Sequence, residues 1–257
     1  MRIVPARRCF LLLKQPGRCC ARGRATQTAS QPPDFCSDII FEAVLFECQP
    51  MSSAITRRLF AVVPAAGHSR RMGRPKLLLP LGPGTVISRM LALLRRSEIV
   101  ATVVVVRPDD EPLRTAVAAG GAIPLQPDVA PAEMRHSVEH ALRYLECRYH
   151  PAPQEGWILA PADHPLLDAA VLDRLIAAWR ESHDRILVPV HAGKRGHPTI
   201  FPFRLADAVF HLPGDAGLNR LLQPHAREIE QIEVDAPGVI SDLDTPDDYE
   251  RLLKSGQ

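Results

Sequence analysis

Residues 59–76 read LFAVVPAAGHSRRMGRPK, five apolar residues running without a break into a proline, small residues and a cluster of cations. Residues 59–63 are apolar at every position, the pattern of a strand buried on both faces rather than one with a wet face. Outward from this stretch, apolar runs of strand length alternate with helix-periodic segments. Strands are predicted at 59–63, 99–106, 123–125, 157–160 and 186–190, and helices at 85–96, 112–119, 134–149, 169–179 and 246–253. The four consecutive valines at 103–106 suit a pleat and crowd a helix. The alternation predicts an α/β fold with a three-layer, doubly wound, mostly parallel sheet. After residue 191 the rhythm is less regular, with turns marked by Gly196-His197-Pro198 and by the glycines at 214 and 217.

In such a sheet ligands sit beyond the carboxyl ends of the strands, near the point where the strand order reverses. The residues that follow each strand are therefore where chemistry is sought. After the first strand come Ala65, Ala66 and Gly67, small enough to let a flat base or a phosphate approach the backbone, with Gly67 and Gly73 free to adopt dihedrals that side chains forbid. Arg70, Arg71, Arg74 and Lys76 follow, and four cations in seven positions point to a polyanion, because guanidinium and ammonium groups grip phosphate oxygens. The loop is neither a P-loop, which ends in Gly-Lys-Ser/Thr, nor a GxGxxG dinucleotide fingerprint.

Two further segments carry carboxylates. Asp163 follows the strand at 157–160, where it can serve as a ligand for magnesium or as the N-cap of the next helix. Asp242-Leu243-Asp244 places both carboxylates on one side if the segment is extended. Either can join Asp163 at a metal while the other caps or orients.

Composition narrows the class. Of the 257 residues 46% are hydrophobic and 23% charged, which is ordinary for a globular protein. The net charge of +2 arises in residues 1–57, with eight Lys/Arg against four Asp/Glu; the remainder carries 23 against 25 and lacks a nucleic-acid footprint. Five of the six cysteines lie in the first fifty residues, and no second Cys pair or His cluster stands at zinc-ligand spacing. Residues 1–57 are read as an irregular N-terminal extension and 58–257 as one domain. The extension has the composition of a transit or export leader, or reflects a start assigned upstream of Met51. Its apolar run is too short to span a membrane, and a soluble, cytoplasmic protein is expected.

Residues 58–255 resemble the molybdenum cofactor cytidylyltransferases, which attach CMP to molybdopterin, within the glycosyltransferase-A-like, Rossmann-like pyrophosphorylases. The resemblance rests on PAAGHSRRMGRPK at 64–76, DHPLL at 163–167, GHPTIF at 196–201, GDAGLNRLL at 214–222 and DLDTPDDY at 242–249, in that order. It implies that Ala65, Ala66 and Gly67 hold base and ribose, that Arg71 and Lys76 hold the triphosphate, and that Asp163 with Asp242 or Asp244 binds Mg2+. Catalysis would fall to Arg71, Lys76 and Asp163, and Gly196, His197 and Pro198 would line the entry of the acceptor's phosphate.

The Ala-Ala-Gly loop is similar to the cytidylyl branch rather than the guanylyl branch, so CTP is the expected donor. A phosphorylated acceptor, molybdopterin, completes the pair, and a molybdoenzyme or its chaperone is the implied recipient. Two positions depart from the pattern: His164 stands in place of a usual Gln, and Glu133 in place of a usual Gly. Pro64 is shared with cytidylyltransferases acting on methylerythritol phosphate. Transfer to that acceptor or to a sugar phosphate, and nucleotide binding without catalysis, are the alternative readings.

Overall fold

The computed structural model describes residues 57–182, 184–214 and 216–255. The leader and late-start readings fall on residues 1–56 and lie outside the described residues, as does Asp215 of the GDAG turn. In chain order the elements are β1 (Leu59–Pro64), β2 (Pro80–Leu81), β3 (Gly84–Thr85), α1 (Val86–Leu93), β4 (Ile99–Val105), α2 (Glu111–Ala119), β5 (Ile123–Leu125) and α3 (Met134–Tyr149). There follow β6 (Gly156–Leu159), α4 (Ala169–Glu181), β7 (Ile186–His191), β8 (Lys194–Arg195), β9 (Thr199–Pro202), α5 (Ala206–Phe210), β10 (Ile229–Glu233) and α6 (Pro246–Ser255). Among the described residues no helix is long and apolar enough to cross a membrane.

The main sheet runs β10-β7-β9-β6-β1-β4-β5, with β8 paired to β7. β1 lies in its interior, parallel to β4 on one side and β6 on the other, so that Val62 faces Val103 and Leu159. Its side chains alternate between two cores. Leu59, Ala61 and Val63 pack with residues of α1, α2, α4 and α6, while Phe60 and Val62 pack with residues of α3 and α5. That is the three-layer arrangement, and it explains why 59–63 is apolar throughout: both faces are covered. Each fully buried side chain of this size stabilises the fold by about 1.5–3 kcal/mol relative to exposure.

The sheet is mixed because β9 inserts between β6 and β7 and runs antiparallel to both. Trp157 of β6 and Phe201 of β9 are direct cross-strand partners, their rings stacked at 4.4 Å, a contact that fixes register. Four buried residues ending in proline carry too little pattern to announce β9 in the sequence.

From β1 the chain winds through α1 to β4 and through α2 to β5 at one edge, then returns across α3 to β6 on the other side of β1. The strand order therefore reverses at β1, and the carboxyl ends of β1 and β6 flank the switch point. Residues 64–76 leave one of those ends and residues 160–168 leave the other.

Candidate active site

The loop after β1 is built by short-range bonds. Ala65 N–H donates to Val105 O at 3.0 Å, continuing the sheet one residue, and Gly73 N–H donates to Ser69 O at 3.0 Å, closing the cationic turn. Gly73 has φ +71° as expected, but the other left-handed residue is Ser69, at φ +50°, and not Gly67. The smallness of Gly67 serves a different end: a Cβ there would meet no protein atom within 4 Å, only open cavity. Met72 is buried in the core shared with α1 and anchors the loop's far side. Arg74 lies over the Tyr249 ring at 5.3 Å, and Tyr249 Oη donates to Pro80 O at 2.6 Å, tying α6 to the loop.

Asp163 stands four residues beyond the end of β6. It caps no helix, since the N-cap of α4 is Asp168, whose carboxylate accepts from Ala170 N–H. Its backbone carbonyl accepts from Leu243 N–H at 2.8 Å, which draws the 242–245 segment alongside. The next turn is set by a capping box: Asp248 accepts from Thr245 N–H at 2.7 Å and Asp244 N–H at 3.1 Å, while Thr245 Oγ1 accepts from Asp248 N–H at 3.2 Å. The Thr245 hydroxyl, which donates to the same carboxylate at 2.8 Å, and then the backbone N–H groups of Thr245 and Asp244 bring the Asp248 carboxyl down to about 2.

The result separates two carboxylates that an extended strand would have placed together. Asp244 turns into the cavity, whereas Asp242 is exposed and does not line it. Leu243, between them, is buried.

Lys76 joins the distant segments. Its Nζ lies 2.7 Å from Asp163 Oδ2 and 2.8 Å from Asp244 Oδ1, and Arg71 Nη2 lies 2.6 Å from Asp244 Oδ2. Burial works against both charges of the Lys76–Asp163 pair. The two carboxylates nevertheless raise the Lys76 ammonium above its ordinary value, and His164 together with Lys76 holds Asp163 well below the usual carboxylate range. Two carboxylate oxygens converging on one ammonium also fit a hard divalent cation. Among the described residues no three His, Cys, Asp or Glu side chains are grouped to hold an ion. An ion held by this pair would complete its shell from phosphate and water, as magnesium does.

These groups line a cavity of about 710 Å³, within the range of small-molecule sites. Its walls combine Ala65, Ala66 and Gly67, the cations Arg70, Arg71 and Lys76, and residues 130–134 with Ser137 at the start of α3. Glu133, at the N-cap of α3, contributes an exposed carboxylate. A second hollow of about 310 Å³ shares the loop and adds Arg74 and Arg107. Arg107 Nη1 donates to Gly67 O at 2.9 Å and its other nitrogens engage Asp109 and Asp110, so Arg107 props the loop from β4. Arg107 belongs to none of the motifs that mark the site in the sequence, although a lone cation directly after a buried strand satisfies the rule that singles out Asp163.

Gly196, His197 and Pro198 are not among the residues that line the cavity. A Cβ at Gly196 would come 2.3 Å from Val239 O, and His197 N–H donates to Val239 O at 2.8 Å, so the turn is packed against 237–240. The His197 ring meets the buried His164 ring edge-on at 5.3 Å. Burial, then the neighbouring His164, lowers the His197 imidazole to about 4.

Residues 61–230 match the family described as the MobA-like NTP transferase domain. The chain is 30% identical over 205 residues to the purine catabolism protein PucB of Bacillus subtilis, covering 77% of this chain and 97% of PucB. It is 31% identical over 212 residues to a molybdenum cofactor guanylyltransferase of Mesorhizobium japonicum, covering 77% and 98%. Against the molybdenum cofactor cytidylyltransferase of Escherichia coli it is 29% identical over 194 residues, covering 73% and 92%.

Among solved structures, Rv0371c of Mycobacterium tuberculosis superposes with a TM-score of 0.63 at 29% identity, over 77% of this chain and 98% of that one. A manganese complex of the same protein superposes at 0.61. The fold is the glycosyltransferase-A-like fold of nucleotidyltransferases. With a cation loop and two carboxylates meeting at the switch point of that fold, the chain belongs to the MobA-like NTP transferase family and is a nucleotidyltransferase.

Proposed function

We propose that this nucleotidyltransferase moves CMP from CTP to a phosphate of molybdopterin in a magnesium-dependent reaction that releases pyrophosphate. The observation that carries the reading is the meeting of Lys76 with Asp163 and Asp244 in the wall of a cavity that also presents Arg70 and Arg71. Cations and carboxylates on one cavity wall suit a polyphosphate with a divalent ion. The Ala65-Ala66-Gly67 stretch supports cytidylyl transfer, and the names of two relatives support a molybdenum cofactor as acceptor.

In the reaction a phosphate oxygen of the acceptor attacks the α-phosphorus of CTP. The bond from that phosphorus to the oxygen bridging the α- and β-phosphates breaks, and the electron pair leaves with pyrophosphate. No protein nucleophile is required. Asp163 and Asp244 would hold magnesium, which when bound offsets phosphate charge and polarises the reacting phosphoryl group. Lys76, freed from the carboxylates, places its ammonium on the phosphates. Arg71 is 72% exposed at its side chain and can swing from Asp244 onto the same anion. Ala65, Ala66 and Gly67 leave room for base and ribose. Alignment and fixed charge then supply the acceleration. We place the reaction in the cytoplasm, with the product passed to a molybdoenzyme or its chaperone.

The test is pyrophosphate release from each of the four NTPs with molybdopterin, methylerythritol phosphate and sugar phosphates in turn. Release with CTP and molybdopterin alone is expected. Release with another acceptor would reassign the second substrate, and dependence on GTP would overturn the cytidylyl reading. CTP binding without release under any acceptor would make the chain a nucleotide-binding module.

A further inference from the structure

We infer that His164, braced by His197, is the positioning residue of Asp163: it fixes one carboxylate oxygen so that the other stays aimed at the cation site. The inference rests on the reading of Asp163 as a metal ligand. Asp163 uses its two oxygens differently. Oδ2 faces Lys76 at 2.7 Å, and Oδ1 lies 3.2 Å from His164 Nδ1. An ionised carboxylate only accepts hydrogen bonds, so His164 Nδ1 carries the proton.

His164 is 8% exposed and does not line the cavity, so it reaches the ligand only through Asp163. Lys76 must leave Oδ2 when a divalent ion takes that oxygen. Among the described residues, the His164 bond is then the remaining side-chain hydrogen bond that holds the rotamer.

His197 supplies the brace. Its ring meets the His164 ring edge-on, with centroids 5.3 Å apart and an interplanar angle of 82°. Its backbone is pinned by the bond to Val239 O, in a turn where Gly196 has no room for a Cβ. The Gly-His-Pro turn thus stands behind Asp163 rather than in the cavity wall, which gives it a part in the site without contact to the acceptor.

The test compares His164→Gln, His164→Leu and His197→Asn with the parent protein. Mn2+ dissociation constants are read by electron paramagnetic resonance with and without CTP, alongside kcat and KM for CTP. His164→Leu is expected to weaken Mn2+ about 10-fold, within the range found for residues that orient metal ligands, and to lower kcat with KM for CTP changed less than about twofold. His164→Gln, which keeps an N–H donor, is expected to recover Mn2+ affinity to within about threefold of the parent, and His197→Asn to weaken it by about threefold or more.

Parental Mn2+ affinity in His164→Leu, or equal impairment in the Gln and Leu variants, would overturn the positioning role while leaving the metal reading intact. An effect of His197→Asn confined to KM for the acceptor would overturn the brace. Failure of the parent to bind Mn2+ even with CTP would overturn this inference and the metal reading together. Because Mn2+ binding needs no acceptor, a wrong acceptor assignment leaves the result unaffected.

Discussion

Lys76→Ala should impair catalysis and at the same time tighten metal binding in the absence of nucleotide. The ammonium sits between Asp163 and Asp244 at 2.7 and 2.8 Å with its side chain only 12% exposed. A divalent ion must compete with it for the same oxygens. Breaking a fully buried ion pair costs about 3–5 kcal/mol. These carboxylates are 26% and 18% exposed, so about 1–3 kcal/mol is the expected discounted figure. The free parent protein meets that cost when metal displaces Lys76, and the variant does not. Its Mn2+ affinity without nucleotide should therefore rise roughly 10- to 100-fold, at about 1.4 kcal/mol per tenfold. During turnover the balance reverses, because the ammonium is then needed on the phosphates. Loss of a positioned charge contact of about 3 kcal/mol lowers kcat/KM by about 150-fold. Isothermal titration with Mn2+ reads the first quantity and pyrophosphate release the second. Turnover within threefold of the parent together with unchanged Mn2+ affinity would refute the reasoning.

Asp163→Asn should reduce pyrophosphate release by roughly 1,000-fold while near-ultraviolet circular dichroism stays native; robust turnover would remove Asp163 from the mechanism. Arg107→Ala releases the Gly67 carbonyl, and steady-state kinetics should show KM for the nucleotide rising about 5- to 10-fold, equivalent to about 1–1.4 kcal/mol and so to one net hydrogen bond. His197, facing His164 with Asp163 beyond it, is lowered from 6.5 to about 4 in the folded protein. Between those values the unfolded chain binds more protons than the folded one, so stability rises with pH across the window and is complete above 6.5. Urea midpoints should fall by up to about 3 kcal/mol equivalent from pH 6.5 to 4, and His197→Asn should flatten the profile. Asp163 is depressed instead, so its contribution is present above 3.8 and lost only at lower pH.

Much of this architecture was legible because both faces of the central strands are buried. The apolar runs at 59–63 and 99–106 mark β1 and β4, and the helical periods mark the layers that cover them. β9 and β10 escaped the reading for opposite reasons. β9 is four buried residues, too short to show a period, and β10 reads IEQIE at a sheet edge, where charge masks the strand. At the site, the rule that chemistry follows the strand ends pointed to the cation loop and Asp163. It did not separate Asp242 from Asp244, since that choice is made by Leu243 bonding Asp163 and by Asp248 turning the chain. Nor did it locate His197, whose cavity-facing appearance in the motif hides a packing constraint imposed by Val239 from 42 residues away.

On the proposed reading, one cation position, built by Asp163 and Asp244 and filled by Lys76 in the free protein, passes to a divalent ion when nucleotide binds. Anomalous scattering from crystals grown with Mn2+ and a non-hydrolysable CTP analogue tests it directly. A manganese peak shared by Asp163, Asp244 and a phosphate oxygen is expected, with Lys76 Nζ moved onto the phosphates. A peak at Asp242 or outside this cavity, or Lys76 still bridging the two carboxylates beside bound nucleotide, would contradict it.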